Sequence, residues 1–277
     1  MAISWYPGHM HKASKELVKI MLKTDAVIEV LDARIPESSC NPLLATIRGE
    51  RPCIRILNKA DLADSETTAA WAAYFSKLDN SACLVNGRDA QISRADIVNI
   101  AKKLIKKTDE TLLIQGQMVI DGIPNVGKST LLNQLTERKV ARTGNEPAVT
   151  KGQQRVKLLE GWYLIDTPGM LWPKLADQES AYRLAVTGTI RNTAIEVADI
   201  AWFLAELLML EYPERLASRY DYVASDRGAE HFFDELAKLR GSIGRGGKAD
   251  LNKTAEILLN DFRSGKLGKF SLEKPPT

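Results

Sequence analysis

From Asp25 to about Trp172, short β-branched runs alternate with longer stretches whose apolar residues recur at helical spacing. The runs at 26–31, 53–57, 82–85, 118–120, 156–159 and 162–165 predict strands, and 66–78, 93–106 and 128–135 predict helices between them. Ahead of these lies a basic helix with apolar positions Ala13, Leu17, Ile20 and Met21. Strands alternating with helices build βαβ units, so the expected class is α/β: a mostly parallel sheet with helices on both faces. Beyond Pro173 the strand signals vanish. Helical patterns follow at 178–186, 194–210, 230–239 and 251–262, the last with Leu251, Ala255, Leu258 and Phe262 on one face. The glycines of 241–247 read as a loop. The expected organisation is an α/β domain over 1–175 and a small all-helical domain over 176–277.

Composition narrows the class without naming a chemistry. The 277 residues are 44% hydrophobic and 26% charged, close to the globular average, which excludes disordered and coiled-coil chains. The formal charge of +3 is too mild to argue for a nucleic-acid partner. Cys40, Cys53 and Cys83 are an odd count without metal-ligand spacing, as expected of a reduced chain. The N-terminus has no apolar run behind a basic start, and the greasiest stretch, 195–210, is interrupted by Glu196, Asp199 and Glu206. That stretch is too short and charged to span a bilayer, so it predicts a buried amphipathic helix. A cytoplasmic protein with no membrane partner is expected.

Residues 122–129, Gly-Ile-Pro-Asn-Val-Gly-Lys-Ser, fit the phosphate loop G-x-x-x-x-G-K-[ST] between a predicted strand and an apolar helix. Glycines let successive backbone N–H groups curl around phosphate oxygens, and the following helix adds its positive end. Val126, Gly127 and Thr130 belong to this cradle, Lys128 would reach the β- and γ-phosphates, and Ser129 would ligate Mg²⁺. Asn58-Lys59-Ala60-Asp61 follows the strand at 53–57. Alone it is a common polar turn. Beside a phosphate loop, an Asp61 carboxylate would accept from guanine N1–H and the exocyclic amine, which adenine lacks, so GTP is expected over ATP. Asn58 would bond the other edge of the base and the Lys59 stem would lie along its face. Asn86-Gly87, after the strand at 82–85, would offer a backbone N–H to guanine O6.

Asp166-Thr167-Pro168-Gly169 closes the strand at 162–165. Asp166 would hold Mg²⁺ through water and the Gly169 N–H would meet the γ-phosphate. Thr150, between the two phosphate motifs, is either an ordinary loop threonine or a Mg²⁺ ligand that engages only with the γ-phosphate. Motifs at the C-terminal ends of strands converge on the edge where open α/β sheets bind ligands.

The order is unusual. Ras-like GTPases place the phosphate loop first, whereas here NKAD precedes it by about sixty residues. The chain therefore reads as a circularly permuted Ras-like P-loop GTPase domain, with the segment after Asp166 running straight into the helical domain. An ordered switch would then reposition that domain.

Permuted order, GIPNVGKST, DTPG, NKAD and the N-terminal Trp-Tyr-Pro-Gly-His-Met together resemble the ribosome biogenesis GTPase A (RbgA/YlqF) family of circularly permuted GTPases, over essentially the whole chain. The resemblance implies a GTPase acting late in assembly of the large (50S) ribosomal subunit. It also implies contact with ribosomal RNA of the subunit precursor, GTP-dependent binding, and release after hydrolysis. It points to His9 as the group that positions the attacking water, because Met170 stands where Ras-like enzymes carry a glutamine and a thioether cannot orient water. The alternative is that Trp5, Tyr6 and Met10 anchor the N-terminus with His9 a bystander. In potassium-activated GTPases of similar sequence an asparagine at the position of Asn125 ligates K⁺; the alternative is a loop asparagine bonding its own backbone.

Basic segments offer RNA candidates: Lys12, Lys15, Lys19 and Lys23 near the start, Lys102, Lys103, Lys106 and Lys107 on a helix, and Arg34 in the Asp32-Ala33-Arg34 turn. From Lys238 onward there are nine Lys/Arg against four Asp/Glu. Each such run is more often a solvated face. The ribosome-assembly GTPase is expected to be a monomer. A competing reading is a regulatory binding protein switched by GTP and GDP that does not act on ribosomes; an ATP-hydrolysing enzyme is disfavoured by Asp61.

Overall fold

The computed structural model describes residues 8–106, 115–137, 154–172, 177–190, 195–223, 227–244 and 247–276. Thr150 and Lys107 lie outside them. The chain forms two compact units, Met1–Asp177 with Phe270–Thr277, and Gln178–Lys269.

The first unit is built on a six-stranded sheet of β1 (Ala26–Asp32), β2 (Cys53–Asn58), β3 (Ser81–Val85), β4 (Gly116–Asp121), β5 (Gln154–Leu159) and β6 (Trp162–Asp166), in the order β3-β2-β1-β4-β6-β5. All neighbours are parallel except β5, which pairs antiparallel with β6 at one edge. Every residue of β1 and β2 is buried, as expected of central strands covered on both faces. The edge strand β5 mixes exposed and buried positions instead.

Helices α1 (Gly8–Met21), α4 (Ser65–Ser76), α5 (Arg94–Lys106) and α6 (Lys128–Thr136) match the helical patterns in the sequence. Leu17 and Met21 of α1 are buried with Val27, Val119, Ile165 and Met170 in one cluster, and a second forms around Leu31, Leu57, Trp71 and Phe75. Two short helices, α2 (Pro36–Ser39) and α3 (Pro42–Arg48), were not legible as periodic runs. Both begin on a proline, which suits a first helical turn because that N–H needs no partner there. The side chain of Asn41 caps α3 by accepting from Leu43 and Leu44 N–H.

The second unit consists of α7 (Gln178–Val186), α8 (Val197–Glu211), α9 (Pro213–Tyr220), α10 (Gly228–Arg240) and α11 (Leu251–Arg263) among the described residues. The apolar α8 lies at its centre, with Ile200, Ala201, Leu204, Ala205 and Leu208 buried against the other four. No helix of the described residues is long and apolar enough to cross a membrane.

The observed division differs from the expected 1–175 and 176–277 at the C-terminus. Residues 270–277 leave the helical unit and join the first one, where Phe270 N–H donates to Leu62 O at 3.0 Å and Leu272 N–H to Arg34 O at 2.8 Å. Backbone pairing of this kind carries no hydrophobic period, so the sequence pattern did not reveal it.

Candidate functional site

Strand ends set the site. β2 runs one residue past its apolar pattern to Asn58, and β6 one residue past its own to Asp166, so each motif starts as the last residue of a parallel strand. β4 leads into the phosphate loop and α6 begins at Lys128. All three ends fall on the C-terminal edge of the sheet, where parallel strands leave their ligand crevice.

The loop backbone explains its residues. Asn125 has φ 62 and Gly127 φ 91, both left-handed. A Cβ on Gly127 would stand 2.4 Å from Asn58 Nδ2, and one on Gly122 would stand 2.6 Å from Val30 O. Gly127 is therefore required by its left-handed conformation, and Gly122 by the space that the Val30 carbonyl leaves.

Side chains of the NKAD segment lock onto this loop. Asn58 Nδ2 donates to Val126 O at 2.7 Å, and Lys59 Nζ donates to Asn125 O at 2.6 Å. Lys59 sits in the left-handed region at φ 59 and its ammonium also meets Asp32 Oδ2 at 3.0 Å. Asp32 is buried and paired with Arg34 through Nε and Nη2 at 2.9 and 2.8 Å. Burial alone would raise the Asp32 carboxyl, but Arg34 and Lys59 hold it well below the usual carboxylate range. Burial pulls Lys59 down, offset in part by Asp32.

Asn86 joins the same network. Its Nδ2 donates to Asn58 Oδ1 at 2.7 Å, its Oδ1 accepts from Gln134 Nε2 at 3.1 Å, and its carbonyl accepts Ala60 N–H. Gly87 lies so close to Asp61 that an added Cβ would meet the Asp61 N at 2.9 Å. Asp61 itself is half-buried, with Oδ2 3.3 Å from Nε of the exposed Arg88.

On the phosphate side, buried Lys128 Nζ lies 3.1 Å from Asp166 Oδ1 and also donates to Thr167 O. Asp166 Oδ2 is buried with no hydrogen-bond partner among the described residues. Ser129 is half-buried and Thr130 exposed at the start of α6. Gly169 crosses close over the loop: its added Cβ would be 3.2 Å from Pro124 N, and Met170 N–H reaches Gly122 O. A buried carboxylate oxygen without a hydrogen-bond partner, and a serine hydroxyl at the start of α6, are the kinds of oxygen donor that a hydrated hard cation such as Mg²⁺ takes.

The structure thus gathers Asn58, Lys59, Ala60, Asp61, Asn86, Gly87, Asn125, Val126, Gly127, Lys128, Ser129, Thr130, Asp166 and Gly169 along one sheet edge. His9 lies in the first turn of α1. Thr150 falls outside the described residues. Arg34 is corrected: it is not an exposed phosphate contact but a buried partner of Asp32. Sequence reasoning missed Asp32, Gln134 and Arg88 as members of the network. The signal available for Asp32 was its place at the C-terminal end of β1, beside the strand that carries NKAD. Burial pushes the Cys53 and Cys83 thiols up to about 12, consistent with inert apolar residues.

Residues 117–226 match a family described as 50S ribosome-binding GTPase. Ribosome biogenesis GTPase A of Bacillus cereus is 40% identical, the match covering 99% of this chain and 95% of that protein. The protein of the same name from Thermotoga maritima is 29% identical over 99% of this chain and 95% of its own length. Among solved structures, GDP-bound YlqF superposes with a TM-score of 0.67 at 26% identity, covering 94% of this chain and 98% of that one. GNP-bound YlqF from T. maritima gives 0.66, also at 26% identity, covering 95% of this chain and 98% of that one. Permuted motif order, a shared sheet edge and relatives matched along nearly their whole length agree: the chain belongs to the ribosome biogenesis GTPase A family.

Proposed function

We propose that this GTPase of ribosome assembly binds the precursor of the large (50S) subunit in its GTP state, contacts ribosomal RNA, and leaves after hydrolysis late in assembly. Asp61 reads guanine N1–H and the exocyclic amine, Asn58 the opposite edge, and the Gly87 segment offers an N–H to O6. Lys59 lies along the base. Backbone N–H groups of 125–130 cradle the phosphates, with Lys128 on the β- and γ-oxygens. Ser129, Asp166 through water, and Thr150 hold Mg²⁺, which when bound neutralises charge on the β- and γ-phosphates. Asn125 is the K⁺ ligand and His9 orients the attacking water. The protein acts as a cytoplasmic monomer.

The observation that carries the reading is the double lock of Asn58 on Val126 and Lys59 on Asn125. A base-reading loop and a phosphate loop held by direct hydrogen bonds are spaced for one nucleotide, and the relatives' names and the GNP-bound neighbour support the same substrate class. The test is co-sedimentation with ribosomal particles. Binding to a large-subunit precursor in a GTP analogue and loss in GDP is expected. Equal binding in both states, or none, overturns it.

A further inference from the structure

A segment without regular secondary structure keeps one conformation where specific bonds tie it down. Here Phe270, Leu272 and Glu273 are buried against the first unit. The Glu273 carboxylate accepts Glu37 N–H at 2.7 Å, Ser38 N–H at 3.1 Å and the Ser38 hydroxyl. Its backbone carbonyl accepts Trp71 Nε1–H at 3.1 Å. A carboxylate with two N–H donors and one hydroxyl is fixed in position, not loosely attracted.

The partners of this strap belong to the base side of the candidate site. Phe270 N–H bonds the carbonyl of Leu62, the residue that follows Asp61. Leu272 N–H bonds the carbonyl of Arg34, whose guanidinium grips Asp32, whose carboxylate in turn holds Lys59 against the phosphate loop. Two hydrogen bonds from alternate residues of the strap, Phe270 and Leu272, therefore reach the neighbourhoods of both Asp61 and Lys59. The strap also follows directly on Lys269, the last residue of the helical unit.

We propose that the strap Phe270–Glu273 is a positioning element for the guanine base, anchored by Glu273, so that nucleotide affinity depends on residues that follow the helical unit. The proposal rests on the reading of Asp61 as the base-recognising carboxylate. Loosening the strap releases Leu62 and Arg34 together and lets the base loop drift from the phosphate loop. The expected signature is weaker nucleotide binding with the phosphate chemistry little changed.

The experiment uses the full chain and fluorescent GDP, with steady-state GTP and ITP hydrolysis; the hypoxanthine base of ITP lacks the 2-amine. Glu273→Ala is expected to speed GDP release about tenfold, raise KM for GTP in proportion, keep kcat within about twofold, and narrow the GTP over ITP preference. Glu273→Gln, which keeps one acceptor oxygen, is expected to recover part of the affinity. Trp71→Phe removes a single hydrogen bond and is expected to speed release about threefold, which keeps the test open if Glu273→Ala does not fold. Asp61→Ala is the reference. If it leaves the GTP over ITP preference intact, the base reading itself fails. If it abolishes that preference while Glu273→Gln and Trp71→Phe release GDP at the unaltered rate, the strap proposal is overturned.

Discussion

Lys128 Nζ stands 3.1 Å from Asp166 Oδ1 with both side chains buried, so the phosphate-loop lysine and the aspartate of DTPG form one charge pair. The pair matters for folding as well as for nucleotide. Removing one member of a buried pair strands the other charge and costs about 3–5 kcal/mol, whereas removing both is far milder. Lys128→Ala is therefore expected to destabilise by about that amount and to abolish GTP hydrolysis, while Lys128→Ala with Asp166→Ala recovers part of the stability. Urea unfolding of the two single variants and the double variant measures the coupling. Strict additivity would refute a direct pair.

Asp61 is expected to decide the base. Its carboxylate is half-buried and close to the Gly87 backbone, so a ligand base would meet it largely desolvated. Asp61→Asn loses two charge-assisted acceptances and should weaken GTP by roughly 10²–10⁴, with xanthosine triphosphate gaining in its place. Competition against fluorescent GDP measures both. Unchanged preference for guanine would remove Asp61 from base recognition. Arg88, exposed and paired with Asp61, is a weaker contributor, and Arg88→Ala should change affinity only a few-fold.

The sheet was legible because buried parallel strands write themselves as β-branched runs: 26–31, 53–57 and 118–120 each sit inside an observed strand. The site was legible where the chemistry demands fixed spacing, as in Gly127-Lys128-Ser129. Other parts were not. Pro42 and Pro213 open α3 and α9, helices that no periodic apolar run announced, since proline is tolerated at the first helical position. Asp32 and Arg34 read as a polar surface turn, because a mutually neutralising buried pair has the composition of an exposed one. Glu273 meets Ser38 only through the fold, and no local pattern announces a contact so distant in sequence.

Asn125 carries the cation prediction. Its backbone is left-handed at φ 62 and its carbonyl is already taken by Lys59, so the loop conformation at this residue is pinned before any ion binds. If its side chain ligates K⁺ beside the phosphates, replacing K⁺ by Na⁺ should lower kcat by about tenfold or more. Asn125→Ser should flatten that difference and leave GDP affinity within a few-fold. Phosphate release in the two salts at equal ionic strength decides it; equal rates for the unaltered chain exclude a potassium role.

Asp121 gives the pH prediction. It is fully buried one residue before the phosphate loop, and its Oδ1 accepts Gly122 N–H at 2.7 Å. Burial pushes its carboxyl up to about 7, with Lys128 and the Gly122 bond opposing that only in part. In the unfolded chain the same group titrates at about 3.9. Between those values the folded protein keeps a proton that the unfolded chain has released, so stability falls as pH rises from about 4 to about 7 and then levels. The whole effect is on the order of 4 kcal/mol. Asp121→Asn keeps an acceptor for Gly122 and carries no charge, so its stability should lack this fall and exceed that of the unaltered chain by about 2–4 kcal/mol at pH 8. Urea unfolding of both proteins at pH 5, 6, 7 and 8 isolates the group by difference. Parallel stability curves across that range would show that Asp121 is already ionised in the folded chain.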